Sequence, residues 1–372
     1  MMLAKNLPGA QTASRLDRRT ETKSRQVVGG LRFDWVMAIL VVWLIGGIHV
    51  DGWAHQHVPS LETFFTPWHA LFYSAFGVIA CFLTINLLVN HFKRGYAWTK
   101  ALPAGYELSF IGVVLFMFGG VGDMLWHTIL GIEVNVEALL SPTHLLLAIG
   151  GFLIASGPFR AAWKRAGGSG FSLPQLLPML LSITMTFSIF TFFTQYGHPF
   201  GTTFAAKALY PGTARTQELY LGDAMLSYML QSAILMGVTL LLMRRWSLPF
   251  GSLTVLYTIN IFLIAYMRDL HLTTGILPLV LVALATGLVA DLMVQFFKPS
   301  PANRLAFRVF AFAVPVVLYG LYFLALVVAG GGIWWTNPTW TGSIFLGAIA
   351  GLLTSYLVLP PIMPSENGVN TN

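Results

Sequence analysis

Two short stretches of this chain set carboxylate and imidazole side chains at spacings that suit a metal ion. The first reads Asp51-Gly-Trp-Ala-His55, then Glu62-Thr-Phe-Phe-Thr66-Pro67-Trp68-His69. The second reads Asp123-Met-Leu-Trp-His127, then Glu137-Ala-Leu-Leu-Ser141-Pro142-Thr143-His144. Both follow one pattern: D-x-x-x-H, a short connection, and E-x-x-[FL]-[ST]-P-x-H. Asp and His four residues apart lie one turn from each other on a single helix face, so both can reach one ion. Thr66-Pro67 and Ser141-Pro142 read as an N-cap followed by proline at the first helical position. That places His69 and His144 in the first turn of the next helix, which returns antiparallel and brings a third ligand to the depth of the other two.

Two imidazoles and one carboxylate leave coordination positions open. Such a set fits copper, iron or zinc with an exchangeable ligand better than a closed structural site. Glu62 and Glu137 read equally as partners that orient the imidazoles from behind and as solvated loop charges. Trp68 and Trp126 adjoin the ligands and could line a substrate. His49, His57, His198, Asp269 and His271 are further ligand-type residues, for which an interfacial or packing role is the simpler reading. The plain alternative for the whole pattern is a pair of capped hairpins whose polar groups bond across a helix–helix contact. Six ionisable groups exceed what that role needs.

The elements that must position these residues are membrane helices. Of the 372 residues 56% are hydrophobic and 9% charged, where a soluble domain carries about a quarter charged residues. Ten apolar stretches are long enough, or nearly so, to cross about 30 Å of hydrocarbon. They cover 34–55, 66–91, 105–128, 142–160, 173–195, 222–243, 250–269, 273–297, 306–328 and 341–361. The expected fold is an all-α polytopic transmembrane bundle of about ten helices built from five helical hairpins. Its expected divisions are a disordered basic arm (1–33), a four-helix region with the two tandem hairpins (34–160), six further helices (161–361) and a disordered tail (362–372).

Charge orients the bundle. Eighteen of the 21 basic residues fall in the N-terminal arm and alternate loops, leaving Lys207, Arg215 and Arg268 on the other side. The positive-inside rule then places both termini in the cytoplasm of a cell whose inner membrane holds the chain. The net charge of +7 is therefore an orientation signal, and nucleic acid drops out as a partner. Eight of the nine histidines, all but His91, map to the outer ends of helices or outer loops, so the chemistry lies toward the outer face. The single cysteine, Cys81, excludes a disulfide framework or a Cys-based zinc site and reads as a packed hydrophobe. Asp51 and Asp123 stand 72 residues apart, and His198 and Asp269 continue a period of about that size. Asp291, in a late helix, reads as a partner of Asn260 or Gln295.

The hairpin pattern resembles the copper membrane monooxygenases, the particulate methane and ammonia enzymes, in one of their membrane-embedded components, the C polypeptide. That polypeptide has an Asp-x-x-Trp-His segment, then an acidic residue and T-P-x-H opening the next helix. Asp123, Trp126, His127, Glu137, Pro142 and His144 fit it position by position. Trp53, His55, Glu62, Pro67 and His69 resemble a second hairpin of the family, which has Asn where Asp51 stands. The likeness covers roughly residues 45–150, and the two hairpins come in the opposite order to the family's. It implies copper in at least one site, membrane-embedded oxidation of a small apolar substrate, and other membrane subunits or a homo-oligomer as partners. The residues alone also leave open a metal transporter, a metal-dependent membrane hydrolase using Ser74, and a non-catalytic metal-binding accessory protein.

Overall fold

The computed structural model describes residues 25–58, 64–131, 135–165 and 170–361. It is an all-α, multi-pass membrane protein. Among the described residues, nine helices are long and apolar enough to cross a bilayer. Two compact units divide the chain: one takes in the helices up to Lys164 together with Pro174–Phe190, the other everything described from Thr191 onward.

The first unit begins with α1 (Leu31–His57) and α2 (Pro67–Leu88, continued by a π turn through Lys93). It continues with α3 (Glu107–Leu130), the short α4 (Asn135–Leu140), α5 (Pro142–Ala155) and α6 (Gly157–Lys164). α1 pairs with α2, and α3 with α5. Glycine makes the second pairing close. A Cβ on Gly112 would stand 2.7 Å from the Gly150 carbonyl oxygen, and one on Gly150 would meet the Phe116 backbone nitrogen at 2.7 Å. Small residues at a membrane helix contact let backbones approach and gain dispersion contacts, since lipid supplies no hydrophobic drive between helices. Both helix starts carry the expected caps: Thr66 Oγ1 accepts the His69 N–H at 3.0 Å, and Ser141 Oγ accepts that of His144 at 3.3 Å.

Charge gathers at the opposite end of this unit. Asp34, at the start of α1, is buried, accepts from the Tyr106 hydroxyl at 2.7 Å and pairs with Arg165. Arg160 donates to the Gly105 and Leu153 carbonyls at 3.0 and 2.8 Å, and Lys164 pairs with Glu107 at 3.3 Å. Asp34 and Asp51 are separated along α1 by about 25 Å at the helical rise of about 1.5 Å per residue.

α7 (Leu173–Phe193) closes the first unit and enters the second. Its buried Thr184, Thr186 and Ser188 hydroxyls donate to carbonyls one turn back, the only cheap way to satisfy such groups away from water. In the second unit α8 (Ala214–Arg245) packs on α12 (Asn337–Val358), α9 (Ser252–Met267) on α10 (Ile276–Phe297), and α11 (Arg304–Val328) on α12. α8 starts eight residues earlier than the apolar pattern indicates, because Thr213 and Thr216 form a reciprocal cap ahead of a polar first turn. The stretch expected at 250–269 is a helix of only 16 residues, followed by a 3-10 turn at Asp269–His271. Large apolar side chains such as Leu281, Phe345, Leu353 and Phe262 stay exposed on helix faces, as a lipid solvent requires.

Two expectations are corrected. Cys81 is exposed on its helix, not packed inside. Asp291 pairs with neither Asn260 nor Gln295; Asn260 donates to Thr191 at 3.1 Å. Asp291 instead accepts the backbone N–H groups of Gly251, Leu253 and Thr254 at 3.0–3.1 Å and the Thr254 hydroxyl at 2.6 Å. It caps α9 from the neighbouring helix, because Gly251 at the N-cap position has no side chain to do so. Asp291→Ala should therefore lower stability by about 2 kcal/mol, the scale of a lost cap plus unpaired donors. Thermal unfolding of the detergent-solubilised protein reads this as a lower midpoint, and an unchanged midpoint refutes the role.

Candidate metal centres

The structure brings each predicted trio together at one end of the first unit. In the first, His55 Nε2 lies 3.6 Å from Asp51 Oδ2 and His69 Nε2 lies 3.5 Å from Asp51 Oδ1. In the second, His127 Nε2 and His144 Nε2 lie 3.5 and 3.3 Å from the same atom, Asp123 Oδ1. One ligand atom from every member of each trio falls within 4.8 Å of the others. These separations exceed the 2.7–2.9 Å of a charge-assisted hydrogen bond. They match the edge of a coordination shell, since bonds of about 2.0–2.2 Å at tetrahedral angles set ligand atoms about 3.3–3.5 Å apart.

The far sides of the imidazoles explain their aim. His69 Nδ1 sits 2.5 Å from the Phe64 carbonyl oxygen and His127 Nδ1 3.3 Å from that of Gly131. A carbonyl only accepts, so each Nδ1 carries the proton and each Nε2 of the neutral ring presents a lone pair. Gly131 can turn its carbonyl back because its φ of +89° suits glycine. His144 Nδ1 lies 2.7 Å from Ser141 Oγ, which lies 3.2 Å from Thr143 Oγ1, whose hydroxyl donates to Asp123 Oδ1 at 3.0 Å. The donor order running from His144 Nδ1–H through Ser141 and Thr143 to Asp123 again leaves Nε2 as an acceptor. In this tautomer, with the rings neutral, three imidazole Nε2 atoms turn lone pairs toward carboxylate oxygens at 3.3–3.5 Å.

A positive charge between the partners would join them: protons on the rings, or one divalent ion, which would reach all three groups of a trio at once. Asp123 and His127 side chains are only 3% and 5% exposed, so either charge is held away from bulk water. In the first trio Asp51 Oδ1 is buried and makes no hydrogen bond among the described residues, with His69 Nε2 beside it at 3.5 Å. That trio is the more open, with the His55 side chain 35% exposed.

The centres lie close together. Phe64 stacks 4.9 Å from His69 and 6.4 Å from His127 by ring centroids, and His55 is within electrostatic reach of His127 and His144. Sequence reasoning missed Phe64, Ser141 as an imidazole partner, and Thr143. The Ser-Pro-Thr-His run carried the signal for the last two.

The remaining candidates sit elsewhere or act otherwise. Glu62 lies outside the described residues, and Glu137 is exposed on α4. His49 is buried and donates from Nδ1 to the Ile45 carbonyl at 2.9 Å. His57 does likewise to Trp53 at 2.8 Å and stacks on that indole at 4.3 Å. Trp68 packs edge-on to Trp53 at 6.1 Å, and Trp126 is half-buried on α3. In the second unit, Asp269 and His271 occupy the 3-10 turn after α9, His271 exposed. Arg268 lies over the Tyr196 ring at 4.8 Å and donates to Thr202 at 3.4 Å. His198 is buried in a loop, where Nδ1 accepts the Phe200 N–H at 3.1 Å and desolvation lowers its pKa to about 3. No protein-family model, curated protein or solved structure matches the chain.

Two measurements follow. Outer hydrogen bonds to metal-bound imidazoles are typically worth 10–100-fold in affinity, so Ser141→Ala and Thr143→Val should each weaken metal binding about tenfold or more in a chelator competition. Equal affinity in both variants would remove the orienting chain from the account. For His198, the unfolded side chain takes a proton near 6.5 while the folded one refuses it until about 3. Stability should therefore fall as pH drops through that window, and His198→Asn should flatten the slope in pH-dependent thermal unfolding.

Proposed function

We propose that this protein binds copper at the two Asp/His/His centres and uses it in membrane-embedded oxidation of a small apolar molecule. The observation that carries the reading is the convergence of two imidazole Nε2 atoms and a carboxylate in each trio, with Nδ1 of His69, His127 and His144 engaged from behind. A nitrogen-rich donor set of this kind binds copper(II) most tightly among the common divalent first-row ions. Asp51, His55 and His69 would hold one ion, and Asp123, His127 and His144 the other. Copper would supply one-electron chemistry at positions the protein leaves open. The likeness to the copper membrane monooxygenases around Trp126, His127 and His144 points the same way, and the distribution of basic residues is consistent with centres toward the outer face.

A small apolar substrate is supported by an open apolar groove of about 240 Å³, lined by Phe64, Tyr73, Phe76, Met117 and Met124 among others. Val121 and Met117 are exposed on the same wall, which gives molecules dissolved in lipid a short way in. Two other readings lose ground. A transport path would need polar groups leading away from the centres. The buried face of α2 continues instead as Phe72, Ala75, Ile79, Leu83 and Leu87. The serine that hydrolysis would use, Ser74, is exposed and donates to the Leu71 carbonyl at 2.6 Å.

Elemental analysis with X-ray absorption on protein purified without added metal tests the proposal. Two coppers per chain with nitrogen and oxygen neighbours are expected, and His127→Ala or His144→Ala should halve the copper content. Protein that stays copper-free in copper-supplemented medium, or that fills both centres only with zinc, would sink it.

A further inference from the structure

Between the two trios stands a tyrosine that nothing so far accounts for. Tyr73 follows His69 by one turn of α2, and its ring lies 6.2 Å from that imidazole, 5.8 Å from Phe64 and 6.2 Å from Phe116. Gly120 of α3 makes room for it: a Cβ there would meet Tyr73 Cε1 at 2.9 Å and its hydroxyl oxygen at 3.0 Å. The hydroxyl is thereby fixed between α2 and α3, within electrostatic reach of both Asp123 and Asp51. It is buried and makes no hydrogen bond to a described residue. Buried hydroxyls are nearly always paired, and an unpaired one asks for an explanation. Asp51 Oδ1 is in the same condition nearby.

We propose that the Tyr73 hydroxyl donates a hydrogen bond to a non-protein ligand, water or a small anion, held at the metal centres. The proposal rests on the metal reading, because the ligand's other contact is the ion. The two orphaned atoms call for complementary things. Asp51 Oδ1 needs a cation, and the Tyr73 hydroxyl needs an acceptor; a metal ion carrying an oxygen or anion ligand offers both in sequence. The rings of Phe64, Phe72 and Phe116 pack about the Tyr73 ring and the hydroxyl itself is buried, so bulk water does not compete and one donor counts for much. Tyr73 is then a positioning residue that selects what occupies the open coordination position, and its location between the trios lets it serve either.

Azide is the probe. The copper-loaded full chain in lipid nanodiscs is titrated with azide, and binding is followed by the azide-to-copper absorption band and by electron paramagnetic resonance. Copper content is measured on the same samples. Tyr73→Phe should keep its copper and bind azide about tenfold more weakly, whereas Ser74→Ala, on the exposed side of the same helix, should stay within twofold of the wild type. Should Tyr73→Phe fail to fold, Gly120→Ala moves the hydroxyl from the opposite side and should weaken azide comparably. Azide affinity within twofold of wild type in the variant that retains copper overturns the proposal. A wild type that holds copper but no azide overturns it while leaving the metal reading intact, and a wild type that takes up no copper overturns both.

Discussion

Everything at the functional end of the first unit turns on where three imidazole protons sit. Backbone carbonyls of Phe64 and Gly131 and the hydroxyl of Ser141 claim them on the Nδ1 side. In that tautomer each neutral ring turns an Nε2 lone pair toward Asp51 or Asp123. Two acceptors facing each other repel, and in a low-dielectric site no water screens them. The fold nonetheless brings them together through α1, α2, α3 and α5, an arrangement that a bound cation would complete.

Much of this was legible in the sequence. The D-x-x-x-H spacing fixes two ligands on one helical face, and the Thr66-Pro67 and Ser141-Pro142 pairs fix where the returning helices begin. Those two local rules are enough to bring His69 and His144 level with the other ligands, because capping and helical pitch act within a few residues. The helical spans were legible for a similar reason, since lipid demands long apolar runs. Phe64 was not legible as an imidazole partner, because its contribution is a carbonyl and every residue has one. Tyr73 was hidden in an apolar stretch, and only the gap left by Gly120 on another helix gives it a place between the trios. The partners of Asp291 lay about forty residues back, beyond any spacing rule, and the start of α8 lay in polar residues that no apolar period marks.

The second unit carries a different kind of polar chemistry. Several of its buried groups close on one another: Asp291 on the start of α9, Asn260 on Thr191, Arg268 on Thr202 and the Tyr196 ring. His198 stays neutral through its burial. Satisfied polar contacts of this sort fix a unique packing among helices that hydrocarbon alone would let slide. In the first unit the ionisable groups of each trio converge instead on one point.

The Asp291 clasp has a bearing on biogenesis. At 16 residues, α9 spans about 24 Å at the usual helical rise, short of the hydrocarbon thickness of about 30 Å. The backbone N–H groups of Gly251, Leu253 and Thr254 at its start are answered by a carboxylate carried on the following helix. While the chain is being threaded into the bilayer, α9 alone would thus be both too short and open at one end. It becomes complete when α10 has entered and folded back beside it, so the natural unit of insertion here is the pair.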